Sequence, residues 1–198
     1  MKVDEERVKM YLEGRGFTLE RFSEAEMNAG KTPDFRVSRN GDFLFYCEVK
    51  SISKDEWLNQ QLKSPDPDGM AGGLRNDPTY NRLTADIHQA IKQFDAVNKD
   101  QKYPNVLSFV NHNHMCDNWD LISILTGNAY TNDGEILPIY RQFSHGRIKN
   151  ERKNIHLFIW LDDRKPDQLL FSQTNENHHA ALCKMFNITQ SEIKQIAP

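Results

Sequence analysis

Pro33-Asp34-Phe35-Arg36-Val37-Ser38-Arg39-Asn40-Gly41-Asp42-Phe43-Leu44-Phe45-Tyr46-Cys47-Glu48-Val49-Lys50 is the stretch on which the fold turns. Asn40-Gly41 separates two strand-like runs, and Asn-Gly tolerates the positive φ angles that a two-residue hairpin demands. The first arm is 33–37 and the second 43–50, whose nearly unbroken apolar start predicts a central strand covered on both faces. Alternation puts Leu44, Tyr46, Glu48 and Lys50 on one face and Phe43, Phe45, Cys47 and Val49 on the other. A covered strand ending in a carboxylate and an ammonium is costly unless the two are paired or hold something. Folding the hairpin brings Asp34 to the same end, so two carboxylates and a lysine converge.

Outward from the hairpin, residues 3–15 read as a helix with Val8, Tyr11 and Leu12 on one face, ended by Gly14-Arg15-Gly16. Residues 17–22 alternate as a strand, and 23–32 read as a polar loop. Downstream, 51–80 loses all periodicity; helical spacing returns in Leu83, Ile87, Ala90, Ile91, Phe94 and Val97. A strand at 106–110, a helix at 117–125, an irregular stretch at 127–154 and a strand at 155–161 follow. Helical segments close the chain over 175–197, with Thr189-Gln190-Ser191-Glu192 as a capping box. The expectation is one α/β domain over 1–198, its mixed central sheet flanked by helices on both faces. Its core is about 1–111 plus 155–161; 51–80 and 127–154 are loop insertions and 175–197 is a C-terminal helical elaboration.

The chain has 198 residues and a formal net charge of −3, which excludes a globally basic nucleic-acid binder but not a local basic face. No run approaches the ~18 apolar residues of a membrane span. The acidic start Met1-Lys2-Val3-Asp4-Glu5-Glu6 does not read as a secretory signal. Three scattered cysteines, Cys47, Cys116 and Cys183, argue against a disulfide framework. A cytoplasmic protein without a membrane partner is expected.

The convergent charges are what a magnesium-dependent phosphodiesterase needs. Mg²⁺ takes oxygen ligands, usually one or two carboxylates completed by water and phosphate. Asp34 and Glu48 are the candidate ligands, with the Val49 backbone carbonyl as a third, and Mn²⁺ is expected to substitute. Lys50 is placed to orient the attacking water or meet charge on the phosphate. Pro33-Asp34, thirteen intervening residues, then Glu48-Val49-Lys50 resembles the PD-(D/E)XK motif of the restriction-endonuclease-like nucleases. The order αβββαβ over the first ~110 residues is similar to that superfamily's core. Glu5-Glu6-Arg7-Val8 closing on Gly16-Phe17 resembles the first helix of archaeal Holliday-junction resolvases, and Glu5 is the matching acid. Helical geometry agrees, since Glu5 borders the face of Val8 and Leu12. The resemblance implies a DNA endonuclease, with DNA favoured over RNA, Asp34, Glu48, Lys50 and Glu5 catalytic, Glu5 a further metal position, and a homodimer as a common assembly. The glutamine-to-tyrosine spacing of some nuclease branches is absent, because Gln93 follows Gln89. Two other readings stay open. One is a catalytically silent nuclease-like module that binds nucleic acid or serves assembly. In the other, Asp34 caps a turn and Glu48–Lys50 is an exposed ion pair.

For nucleic-acid contact the candidates are Arg141, Arg147, Lys149, Arg152 and Lys153, five cations against Glu151 in one stretch. Gln89, Lys92 and Gln93 can also face substrate, but a solvated helix face is the preferred reading for all three. His112-Asn113-His114 and His179 with Cys183 have metal-capable chemistry, but a polar loop and ordinary helix packing are the preferred readings.

Overall fold

The computed structural model describes residues 2–54, 79–131, 133–139, 148 and 151–193. At its centre β2 (Phe35–Arg39) and β3 (Asp42–Ile52) pair antiparallel. Arg39 pairs directly with Asp42 across Asn40 (φ 54°) and Gly41 (φ 88°), as a two-residue turn with two left-handed residues requires. The register runs Phe35 to Cys47 and Val37 to Phe45, then slips so that Ser38 faces Phe43. Leu44 is thus a bulge, and it corrects the strict alternation expected from Phe43 onwards. Phe43 turns to the Tyr46 side (ring centroids 4.8 Å apart), while Leu44 packs with the cluster containing Phe45. From Phe45 to Ile52 the alternation holds.

Helix α1 (Val3–Glu13) precedes β1 (Thr18–Arg21), and a short helix α2 (Glu24–Ala29) precedes β2. After β3 come α3 (Thr79–Asn98), β4 (Asn105–Asn111) and α4 (Asn118–Thr126). A small ribbon of β5 (Asn128–Tyr130) and β6 (Ile136–Pro138) follows. Strands β7 (Leu157–Asp162) and β8 (Gln168–Phe171) and helix α5 (Glu176–Met185) complete the fold. The main sheet has the order β1-β2-β3-β4-β7-β8. Its β3–β4 and β4–β7 neighbours are parallel and the other pairs antiparallel, so it is a mixed sheet.

Helices cover both faces. Val8 and Leu12 of α1 and Leu182 of α5 pack on Val37, Phe45, Val106 and Ile159. Leu83, Ile87 and Phe94 of α3 and Leu121 and Ile124 of α4 pack on Ile52, Leu107, Phe109 and Trp160. Every residue of β4 and β7 is buried, because each lies between two helical layers. Of the six apolar residues the helical spacing picks out on α3, those at 83, 87, 90, 91 and 94 are buried, and Val97 is half-buried. At the sheet end where β4 begins, Asn98 donates to Asn105 (2.8 Å) and His156 Nδ1 accepts the Asn105 N–H (2.9 Å). This satisfies buried polar groups and fixes the ends of α3, β4 and β7 against one another.

Several expectations are corrected. The loop expected at 23–32 contains α2, opened by a capping box in which the Ser23 N–H donates to Glu26 (2.9 Å). The irregular stretch expected at 127–154 contains β5, β6 and a 3-10 turn at Glu151–Asn154; three-residue strands are too short to display a period. Strand β8 was not expected. The insertion expected at 51–80 begins inside β3 and ends inside α3, and 55–78 lie outside the described residues. Of 175–197, α5 and a 3-10 turn at Gln190–Glu192 are described, the turn opened by the Thr189 N–H donating to Glu192 (2.7 Å). Among the described residues no helix is long and apolar enough to cross a membrane.

Candidate active site

The ladder between β2 and β3 ends at the Phe35–Cys47 pair, and side chains continue the stitching beyond it. Asp34, just before β2, accepts the Val49 N–H on Oδ2 (2.8 Å), and its own N–H donates to Glu48 Oε2 (3.1 Å). The two carboxyl groups lie within hydrogen-bonding reach of each other. Glu48 is only 2% exposed, and Lys50, 9% exposed, donates to its Oε1 at 2.7 Å. Both acids and the lysine therefore meet at one point, as the hairpin geometry predicts. The exposed-pair alternative fails, because neither Glu48 nor Lys50 is on the surface.

The electrostatics distinguish this cluster from an ordinary ion pair. Burial, then the neighbouring Asp34 charge, push the Glu48 carboxyl up to about 8 against the pull of Lys50. Burial also raises Asp34; the Val49 N–H opposes the shift and the Glu5 charge adds to it. One ammonium does not compensate two adjacent buried carboxylates, so one of them tends to keep a proton.

Helix α3 adds a residue that sequence reasoning assigned to solvent. Gln93 Oε1 accepts from Lys50 Nζ (3.1 Å), while Gln93 Nε2 donates to the Thr32 carbonyl (3.0 Å). It joins α3, β3 and the segment leading to Asp34. Asp86, two helical turns earlier on α3, feels the same lysine: burial raises its carboxyl, and Lys50 and Arg82 pull it back. The available signal was position, since 86 and 93 border the apolar stripe that packs on the strand carrying the charges.

Glu5 is 4% exposed, on the buried side of α1 where helical geometry put it. Its charge acts on Asp34, but its Oε2 is taken by Arg21 (2.7 Å) and the Lys2 N–H (3.1 Å). Gln89 and Lys92 are exposed on α3 and neither joins the cluster. Arg141, Arg147 and Lys149 lie outside the described residues. Lys153 is exposed, whereas Arg152 donates to the Leu125 carbonyl near the end of α4. That contact gives Arg152 a local structural job, because a cation there complements the helix dipole. His112 sits between Asp4 and Asp163, and His114 offers its carbonyl to Arg164 (3.0 Å). His179 approaches the Cys183 sulfur at 3.8 Å within α5, as helix neighbours do.

Among the described residues no group of three or more His, Cys, Asp or Glu side chains is arranged to hold a metal ion. The side-chain donor set is the Asp34–Glu48 pair. Its surplus negative charge and all-oxygen chemistry fit a hard divalent cation better than a soft one. An extended residue directs its N–H and C=O to the same edge, so the Val49 carbonyl accompanies the N–H that Asp34 binds. No family model matches the chain, and no curated protein or solved structure matches it.

Proposed function

We propose that this protein is a metal-dependent nuclease that hydrolyses phosphodiester bonds of nucleic acid, with DNA the favoured substrate. The observation that carries the reading is the buried Asp34–Glu48 pair beside Lys50: burial holds both carboxyl groups above their ordinary range, with the Glu5 charge adding to the rise of Asp34 and the Asp34 charge to that of Glu48. The helix, three antiparallel strands, helix and parallel strand from α1 to β4 support it, because the PD-(D/E)XK core has that order. The short helix α2 is an addition to it.

In this reading Asp34, Glu48 and the Val49 carbonyl hold Mg²⁺ or Mn²⁺. The ion supplies Lewis-acid stabilisation of the phosphate and a more acidic water. Binding it requires Glu48 to give up the proton that the apolar surroundings favour, so affinity rises with pH up to about 8. Glu48 and Gln93 hold the Lys50 side chain in one place before substrate arrives, so it needs no reorganisation to meet developing negative charge. Glu5, held by Arg21, adds negative charge near Asp34 rather than a free ligand.

One observation favours the second reading, a silent nuclease-like module: Glu48 is already engaged by Lys50 and the Asp34 N–H. The test is cleavage of supercoiled and linear duplex DNA, single-stranded DNA, a branched junction and RNA with Mg²⁺ or Mn²⁺, wild type beside Asp34→Ala. Cleavage by wild type alone establishes the nuclease and names its substrate. Carboxylate-dependent metal binding without cleavage favours the silent module, and neither activity nor metal binding overturns both.

A further inference from the structure

The neighbours of Glu5 and Lys50 are joined by a second network. Ser51 donates to Asp4 Oδ2, and the other oxygen of Asp4 meets His112 Nε2 at 2.9 Å. His112 Nδ1 meets Asp163 Oδ2 at 2.8 Å, and Arg7 binds the remaining oxygen of Asp163 and the Asp162 carbonyl. The His112 backbone is fixed independently, its N–H donating to the Ile52 carbonyl (2.9 Å) beyond the end of β4. The ring thus spans from the first turn of α1 to the turn after β7.

A carboxylate only accepts hydrogen bonds, so an imidazole with a carboxylate oxygen on each ring nitrogen must donate twice. Only the imidazolium does so. We propose that His112 is a positioning residue: as imidazolium it docks the first turn of α1, with Glu5, on the end of the sheet, and it loosens that turn when it loses its proton. The catalytic consequence rests on the nuclease reading, whereas the docking itself does not.

The charged groups facing the ring are Asp4 and, through Asp163, Arg7 from α1, and Asp163 from the turn after β7. Asp162 and Arg164 lie one step further, on Asn111 and Asn113. Partial burial works against the charge, but the bonds to Asp163 and Asp4 outweigh it and raise the imidazole above its ordinary 6.5. The stabilisation is therefore complete below about 6.5 and is lost as pH rises through the raised folded value. Above it one ring nitrogen turns a lone pair towards a carboxylate.

The experiment is histidine NMR titration of the full chain, with amide hydrogen exchange of Glu6, Arg7 and Val8 from pH 6 to 9, corrected for intrinsic exchange. A His112 midpoint above 6.5 and a loss of protection of about tenfold at that midpoint are expected. Asp163→Asn should move both midpoints down together, and His112→Gln should remove the step. Protection that stays flat through the His112 titration in wild type, or an exchange midpoint that Asp163→Asn leaves in place, overturns the proposal. Cleavage measured over the same range separates the two ideas: absence of cleavage with a stepped exchange profile retires the nuclease reading and leaves the docking role standing.

Discussion

Two charge clusters lie on either side of the Lys50–Ser51 step of β3, and they respond oppositely to the same fold. Around His112, opposite charges alternate: hydrogen bonds from His112 and Arg7 hold Asp163 below the usual carboxylate range, and His112 is raised. Around Lys50, two carboxylates share one ammonium in a drier setting, and Asp34 and Glu48 both rise. The first cluster is complete in itself and stabilises the fold. The second is short of positive charge, which is the condition for holding a cation or a proton that has work to do.

The largest expected effect attacks the second cluster. Asp34→Ala or Glu48→Ala should lower metal-dependent cleavage by roughly a thousandfold, measured as single-turnover rate. Lys50→Ala should cost about a hundredfold in turnover while calorimetric Mg²⁺ or Mn²⁺ affinity stays near wild type; cleavage at the wild-type rate would remove Lys50 from its role. Stability sharpens the contrast without any substrate. Folded Glu48 keeps a proton that the unfolded chain has already released above about 4.5, so stability falls as pH rises from 4.5 to about 8. The fall should be on the order of a few kcal/mol in denaturant titrations, and it should flatten in Glu48→Gln. Added Mg²⁺ should oppose it.

A buried histidine gives the opposite slope. His156 accepts the Asn105 N–H and is therefore neutral; burial, then His178, depress it to about 4. The unfolded chain takes up a proton near 6.5 that the folded one refuses, so stability should fall by about 3 kcal/mol between pH 6.5 and 4. His156→Gln should remove that slope in the same titrations. The smallest effect belongs to the complete cluster: Asp163→Asn should cost about 0.5–1 kcal/mol at pH 6, since the Asp163 carboxylate is part-exposed.

The hairpin and its charges were readable because they are local. Asn40-Gly41 specifies a turn type, the turn fixes which residues face each other, and Asp34 then has only one end of β3 to reach. Glu5 rather than Glu6 followed from helical spacing alone, and so did the apolar stripe of α3. Strand β8 escaped because its four residues are half-buried at a sheet edge, where apolar and polar positions carry equal weight. The Leu44 bulge escaped because nothing in Phe43-Leu44-Phe45-Tyr46 tells which residue yields its place in the ladder; Phe43 and Tyr46 settle it by meeting Tyr103.

Contacts between elements distant in the chain obey a different rule. Gln93 looks like any polar residue on a solvated helix until α3 is laid on β3, and His112 looks like a loop residue until Asp4 and Asp163 arrive from opposite ends of the chain. The order of elements, the hairpin and the identity of the acids follow from short-range periodicity and turn chemistry, which operate over a few residues. Which polar side chain closes each network, and whether a carboxyl group is raised or lowered, depends on burial and on partners up to 156 positions away, as between Arg7 and Asp163. Packing alone supplies those, because a charge has no fixed energy until its surroundings are in place.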